Sequence, residues 1–469
     1  MLNPCNQSFA ESLTSRLPQV PVKPTEPRYL EEPRSKYFGQ PSFVAAPRTT
    51  EDVASVVRFC AEAQVGVQPY GGGTGLVGGQ LSDQGPANLI LSMENMTAIR
   101  AVYSAENSLI AEAGATVANV QAAANEIDRI FPLSYASQDT AQIGSGLAVN
   151  SGGLNVLRYG MARDLCLGIE AVLADGTVLH GLKRLRKDNT GYDLRHLLIG
   201  SEGTLGIITA AALRLFPKPS RVGTAFLDVA SPSAALELLA LFQSAAGETI
   251  SAFEIMARAG MDFVTETLPD VRIPFETPPD WSVLVELATP DALDPQEILE
   301  AVFVEAMEKS LVTDGLIATS GAQRDEFWNV REMIPAANRL IGAIASHDIS
   351  IPLTELASFV ETTEKALTDM APVRVNAFGH LGDGNLHFNV FPPKGRPASD
   401  FKNLAPEMTR LVHDAVAAVG GSFSAEHGIG RLKTGDLEHY GDPAKLAAMR
   451  AIKQALDPKG ILNPGAVLR

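Results

Sequence analysis

Two histidines stand seven residues apart in Gly379-His380-Leu381-Gly382-Asp383-Gly384-Asn385-Leu386-His387-Phe388-Asn389. Imidazoles placed this way are candidate metal ligands. On a helix the spacing would put both on one face, but Gly382, Gly384 and Asn385 disfavour a helix. The segment reads instead as two strand pieces joined by a tight loop that turns both rings toward one point. A distant Glu426-His427-Gly428 could add a carboxylate as third ligand. Two histidines and a carboxylate leave a coordination position open, as catalytic sites do. Zinc, manganese and iron(II) all accept such a set, so the residues do not choose among them. The plainer alternative is a pair of ordinary hydrogen-bonded histidines in a β-hairpin, in a chain with 8 histidines.

A second cluster is Gly71-Gly72-Gly73-Thr74-Gly75 with Gly78-Gly79. Gly73 to Gly78 literally fits GxGxxG, the fingerprint of a dinucleotide-binding βαβ unit, in which a helix must follow and point its N-terminus at the pyrophosphate. Here Gly79-Gln80-Leu81-Ser82-Asp83-Gln84-Gly85-Pro86 follows, which cannot hold a helix. A glycine-lined loop can also bind phosphate through successive backbone N–H groups without a helix. A flexible surface loop is the bland reading.

The elements that must carry these clusters follow from periodicity. Val53, Val56, Val57 and Cys60 have helical spacing behind a threonine cap and an acidic first turn, Glu51 and Asp52. Strands are expected at Val65–Pro69, Leu89–Leu91 and Leu109–Ala113, a helix from Thr116 to about Ile130, and a hairpin around Asp175-Gly176. Thr204–Phe216 is β-rich, and Pro217-Lys218-Pro219 is the best candidate for a domain boundary. Beyond it, strands at Val222–Val229, Phe253–Met256 and Ser282–Leu287 and helices at Ser233–Ser244 and Glu300–Ser310 suggest an α+β sheet domain, with helices on one face, on the substrate side.

At 469 residues the chain suggests two or three domains. A formal charge of −16 works against any broad nucleic-acid-binding or anionic-lipid-binding face, so an anionic substrate needs a local positive centre. Cys5, Cys60 and Cys166 lie too far apart in sequence for a disulfide framework or a CxxC site, which favours a reducing, cytoplasmic location. No run approaches the ~20 apolar residues of a transmembrane segment, and the N-terminus lacks a secretory pattern.

Longer signatures surround the glycine loop: Pro69-Tyr70-Gly71-Gly72-Gly73-Thr74-Gly75-Leu76, Gln142-Ile143-Gly144-Ser145 leading to Asn150-Ser151-Gly152-Gly153, Lys187-Asp188-Asn189-Thr190-Gly191-Tyr192-Asp193, and Gly200-Ser201-Glu202-Gly203-Thr204-Leu205-Gly206-Ile207-Ile208-Thr209. With the histidine motifs they resemble the vanillyl-alcohol oxidase/p-cresol methylhydroxylase flavoproteins. Within these the likeness is to the branch of D-2-hydroxyglutarate and D-lactate dehydrogenases and the glycolate oxidase flavin subunit. The resemblance runs from about Tyr37 to Arg469 and implies an α+β fold. Its parts are an N-terminal extension (1–36), a PCMH-type FAD-binding domain (37–217), a substrate or cap domain (218–420) and a C-terminal segment (421–469) that returns to complete the active site.

The resemblance implies that FAD is held by Gly71, Gly72, Gly73, Thr74, Gly75, Gly78, Gly79, Gly144, Ser145, Asn150, Gly206, Ile208 and Asn463. Binding is expected to be non-covalent, because some relatives attach flavin through a histidine or cysteine, and Tyr70 and the following glycines offer neither. It further implies a divalent metal, zinc first, on His380, His387 and Glu426, with His427 as the base. Arg331 and Asn389 match positions that hold substrate carboxylates. The plain reading of Arg331 is a neighbour of Glu332 on a solvated helix. The implied activity is FAD-dependent oxidation of a small D-2-hydroxy acid, D-2-hydroxyglutarate first, to the 2-oxo acid. The expected partners are an electron acceptor such as an electron-transfer flavoprotein or a quinone, with a homodimer as the candidate assembly. Pro335 and Ser346 depart from the 2-hydroxyglutarate pattern, where a threonine and a lysine stand, so D-lactate or another D-2-hydroxy acid is the alternative, as is the flavin subunit of a glycolate oxidase complex. His347 or Arg339 is a candidate to compensate. An NAD-linked dehydrogenase, an electron-relaying subunit and a metal hydrolase are the rivals from other classes.

Overall fold

Apolar alternation builds two differently wired regions, seen in a computed structural model that describes residues 1–35 and 37–469. Lys36, the last residue of the expected N-terminal extension, lies outside the described residues. One unit comprises Met1–Gly153, Tyr159–Lys218 and Glu426–Arg469, and the other Leu154–Arg158 and Pro219–Ala425. The fold class is α+β, as the sequence indicated.

The first unit holds a four-stranded sheet and a five-stranded one. In the smaller sheet Val67–Tyr70 and Leu89–Ser92 run parallel, with Val67 opposite Leu89. The helix Thr50–Ala63 starts where Thr49 accepts from the Asp52 N–H, and it buries Val53, Val56, Val57 and Cys60. That stripe packs in one core with Val67, Leu89 and Leu91 and also with Leu13 of the helix Gln7–Arg16. The larger sheet is antiparallel, in the order Ile99–Tyr103, Ser108–Glu112, Ile207–Arg214, Cys166–Val172, Val178–Gly181. Asp175-Gly176 turns the last hairpin, with Thr177 N–H donating to the Asp175 carboxylate. The helix expected to reach Ile130 ends at Asn125. Asp128 then takes a positive φ of 58°, and Arg129–Ile130 pairs instead with Phe216–Pro217. A tertiary strand partner outcompetes weak helical periodicity there.

The second unit is built on a seven-stranded antiparallel sheet. Its order is Val312–Ile317, Arg221–Val229, Trp281–Thr289, Ile250–Ala257, Arg374–His380, Asn385–Phe391, Ala345–Ser350. Side chains alternate between faces. Phe253, Ile255, Ala377, Leu386, Phe388, Val390 and Ile349 enter one core with the helices Pro232–Ala246, Leu353–Met370 and Ala405–Ala418. On the opposite face Met256 and Phe378 pack with Val330 and Ile334 of the helix Gly321–Ile341. Helices thus cover both faces rather than the one expected, and burying both faces explains why Ile250–Ala257 is buried at every position.

Candidate active site

The register of the second unit's sheet decides which polar groups meet. Glu254 lies opposite His380, His380 opposite Asn385, Phe378 opposite His387, and Asn376 opposite Asn389. Asp348 lies opposite His387, and Ser346 opposite Asn389. Directly paired residues share a face, so Glu254, His380, His387, Asn389, Asp348 and Ser346 all stand on the face that Arg331's helix covers. The turn between the histidines depends on Gly384, whose φ is 77°. A Cβ there would come within 2.3 Å of the Ile351 carbonyl oxygen. The hairpin required by Gly382, Gly384 and Asn385 therefore forms, and the two imidazole centroids lie 5.8 Å apart.

Glu254 organises this face. Its Oε1 is 2.6 Å from His380 Nδ1, and its Oε2 accepts from Arg331 Nε at 2.7 Å. Burial would raise the Glu254 pKa, but its contacts with His380 and Arg331 outweigh that and hold it at about 2, so the carboxylate stays ionised. Arg331 is buried beneath this contact, its guanidinium 5.0 Å from the centre of the Phe378 ring. It is not a solvated neighbour of Glu332. Asn389 accepts from the His347 N–H through Oδ1 at 3.1 Å, which turns its amide nitrogen away from that contact. His347 itself faces the other side of the sheet, with Nδ1 2.7 Å from the Phe388 carbonyl and its ring 5.4 Å from that of His413. It cannot stand in for the missing lysine, and Arg339 is exposed.

The segment leading to Glu426 is tied to the same sheet through its neighbour, since the Ala425 N–H donates to the Asp348 carbonyl at 3.2 Å. Glu426 and His427 are half-buried and open the return segment of the first unit.

In the first unit, the strand Val67–Tyr70 delivers the glycine loop. No helix follows it, which removes the Rossmann reading. The loop lies hard against the segment before the helix Ile143–Val149: a Cβ on Gly72 would meet the Thr140 carbonyl oxygen at 2.0 Å. Among the described residues, none of the backbone N–H groups of residues 71–80 donates a hydrogen bond to a protein acceptor. Beside Gly71, the buried Gln142 Oε1 also lacks a hydrogen-bond partner. Buried polar groups are normally paired. A run of unspent donors beside an orphaned acceptor fits a phosphate-bearing ligand that also offers a hydroxyl or amine.

Of the other predicted residues, Asn463 bonds to the loop directly. The Asn463 amide nitrogen donates to the Gly79 and Glu202 carbonyls at 3.1 and 2.8 Å, and its Oδ1 accepts from Arg431 at 2.8 Å. Asn150 closes the helix with a φ of 56° and accepts from the Arg163 N–H at 2.9 Å. Gly144 donates to the Ala113 carbonyl at 2.8 Å, while Ser145 Oγ donates to the Gln142 carbonyl at 2.8 Å. Gly206 abuts Leu198, and Ile208 packs in the core with Ile143 and Leu147.

Glu254, Glu202 and Arg431 escaped the sequence reading. Glu202 takes the Ile429 and Gly430 N–H groups at 2.7 and 2.8 Å, and burial keeps its pKa above the usual carboxylate value despite them. Arg431 donates to the Gly78 and Gly79 carbonyls at 3.1 and 2.9 Å. Glu254 did leave a signal, being the lone charge in the otherwise uncharged run Ser251-Ala252-Phe253-Glu254-Ile255-Met256.

The fold and these two clusters define a flavoprotein architecture. A p-cresol methylhydroxylase structure with substrate bound matches with a TM-score of 0.74 at 16% identity, over 100% of this chain and 98% of that one. Residues 41–181 match the FAD binding domain family and residues 218–467 the family described as FAD linked oxidases, C-terminal domain. A D-2-hydroxyglutarate dehydrogenase from Xanthomonas citri pv. viticola is 34% identical over 97% of this chain and 95% of its own. The Arabidopsis thaliana enzyme named D-2-hydroxyglutarate dehydrogenase, mitochondrial, is 37% identical over 92% of this chain and 76% of its own. The chain belongs to the FAD-linked oxidase family, in the vanillyl-alcohol oxidase fold, and is an FAD-dependent oxidoreductase.

The cytoplasmic expectation is corrected by these relatives, because those of Arabidopsis thaliana, Danio rerio and Bos taurus are named as mitochondrial. Cys5, Cys60 and Cys166 are buried and free, and unpaired thiols fit any reducing compartment, so cysteine usage never discriminated between them. Among the described residues no helix is long and apolar enough to cross a membrane.

Proposed function

We propose that the chain oxidises D-2-hydroxyglutarate to 2-oxoglutarate, with FAD held non-covalently and a divalent metal, zinc first, at His380, His387 and Glu426. The observation that carries this reading is the sheet face that gathers both histidines, Asn389 and the buried Arg331. The names of the relatives support the substrate. FAD supplies the two-electron acceptor for the hydride leaving the substrate Cα, and the metal supplies Lewis-acid polarisation of the hydroxyl and carboxylate oxygens.

The chain's own residues do the rest. Arg331 and Asn389 bind carboxylate oxygens, the guanidinium providing the local cation that a chain of net charge −16 needs. An imidazole nitrogen of His427 takes the hydroxyl proton, so that proton and hydride leave together and a 2-oxo acid remains. The N–H groups of residues 71–80 take the pyrophosphate of FAD, while Gly144, Ser145, Asn150, Gly206, Ile208 and Asn463 shape and brace the cradle. Reoxidation falls to an electron-transfer flavoprotein or a quinone.

The second reading is a shorter D-2-hydroxy acid such as D-lactate. Ser346, exposed and uncharged, stands on the face of Asn389 where a lysine would be expected. An anaerobic screen decides between them by following bleaching of bound flavin with D- and L-2-hydroxy acids, with and without chelator. D-2-hydroxyglutarate should bleach it fastest and chelator should suppress the reaction. Faster bleaching by D-lactate moves the assignment to the second reading, and no bleaching by any D-2-hydroxy acid defeats both.

A further inference from the structure

His380 and Arg331 come from separate elements, a strand and a helix, yet one side chain holds both. Glu254 reaches His380 Nδ1 with one carboxylate oxygen at 2.6 Å and Arg331 Nε with the other at 2.7 Å. Its side chain is 1% exposed, so water does not compete for either oxygen. We propose that Glu254 is a positioning residue that fixes the metal-binding tautomer of His380 and aims Arg331 at the substrate carboxylate; this rests on the metal reading given above.

The chemistry follows from what a carboxylate can do. An ionised carboxylate accepts hydrogen bonds and cannot donate. The 2.6 Å contact therefore puts the ring proton of neutral His380 on Nδ1, and metal ligation falls to Nε2. A carboxylate behind a ligating imidazole also raises its basicity, and losing such a partner typically weakens metal binding about 10- to 100-fold. On the other side, the grip on Nε fixes the guanidinium plane, so its two terminal nitrogens point away from Glu254 as a fork for a carboxylate.

Glu254→Gln keeps the shape and breaks the logic. Gln offers one acceptor oxygen and one donor nitrogen to two donors. Arg331 is permanently charged and retains the oxygen. The amide NH2 then faces His380 Nδ1, which must become an acceptor, and the ring proton moves to Nε2, the ligating atom.

The test titrates zinc ion into chelator-treated protein with FAD bound. Wild type should bind one equivalent, and Glu254→Gln should bind at least tenfold more weakly, with flavin content and melting temperature retained. At saturating zinc the KM for the hydroxy acid should rise less than the zinc dissociation constant in this variant, because Arg331 keeps its acceptor, and it should rise further in Glu254→Ala, where that acceptor is gone. Zinc affinity within threefold of wild type overturns the proposal. Should the variant fail to fold, nitrogen NMR of histidine-labelled, metal-free wild type reads the tautomer directly: a proton on Nδ1 of His380 supports the assignment, and a proton on Nε2 overturns it. Wild type that binds neither zinc, manganese nor iron(II) defeats the metal reading itself, an outcome distinct from unchanged binding in the variant.

Discussion

Arg431 is the residue whose loss should separate flavin binding from folding most cleanly. Its Nη1 donates to the Gly78 and Gly79 carbonyls at 3.1 and 2.9 Å, and its Nη2 to Asn463 Oδ1 and the Pro464 carbonyl at 2.8 and 2.9 Å. Four hydrogen bonds from a charged donor would be worth roughly 1.5–3 kcal/mol each. Against this stands the cost of burying the guanidinium, which lowers its pKa to about 10. The freed carbonyls would also regain water. Removing one partner of a buried charged network typically costs about 3–5 kcal/mol, and that figure fits Arg431→Ala better than the gross hydrogen-bond energy. These bonds tie the end of the glycine loop to the C-terminal segment, so much of the loss should fall on loop order. If about 3 kcal/mol is withdrawn from the bound state, FAD affinity drops roughly 100-fold. Recovery of flavin fluorescence on dilution measures that constant, and thermal unfolding of the apoprotein measures the global loss. Arg431→Lys keeps the charge without the fork and should lie between. An FAD dissociation constant for Arg431→Ala within threefold of wild type would refute the reasoning, even if stability fell.

Two further outcomes are expected. Glu170 accepts from Thr50 Oγ1 at 2.6 Å, Arg100 Nη1 at 3.0 Å and Thr209 Oγ1 at 3.1 Å; burial raises its pKa, but these partners outweigh it and hold it below 4.5. A depressed folded-state pKa contributes stability that is present above 4.5 and lost as pH falls through the lowered value. Glu170→Gln should therefore cost about 1–3 kcal/mol at neutral pH, with the gap to wild type closing in acid; denaturant titrations from pH 7 downward test it, and a gap that widens in acid counts against it. His427→Ala should lower turnover by about 10²–10⁴-fold, the range for losing a general base, while flavin spectrum and metal content hold. Unchanged turnover in that variant sinks the assignment of the base.

Much of this protein is written locally. Gly382, Gly384 and Asn385 required a turn between His380 and His387, and a turn formed. The residues after Gly79 excluded a helix, and none is present. Both inferences rest on backbone allowances that neighbouring residues fix among themselves. The helix from Thr116 shows the limit of such reasoning, since its far end was settled by strand pairing rather than by its own periodicity.

The partners of the site residues belong to the tertiary structure alone. Glu254 lies 126 residues from His380 and 77 from Arg331, and Arg431 lies 353 from Gly78. No periodicity of 2 or 3.6 spans such separations. Antiparallel register chose which histidine faces Glu254, and a one-residue slip would have sent every side chain on that strand to the opposite face. The sequence by itself supplied the candidate ligand residues, the glycine loop and the turns. Register and the long-range closure of the C-terminal segment decided which carboxylate stands behind His380 and which cation holds the loop, because those contacts exist only after distant strands and loops have packed.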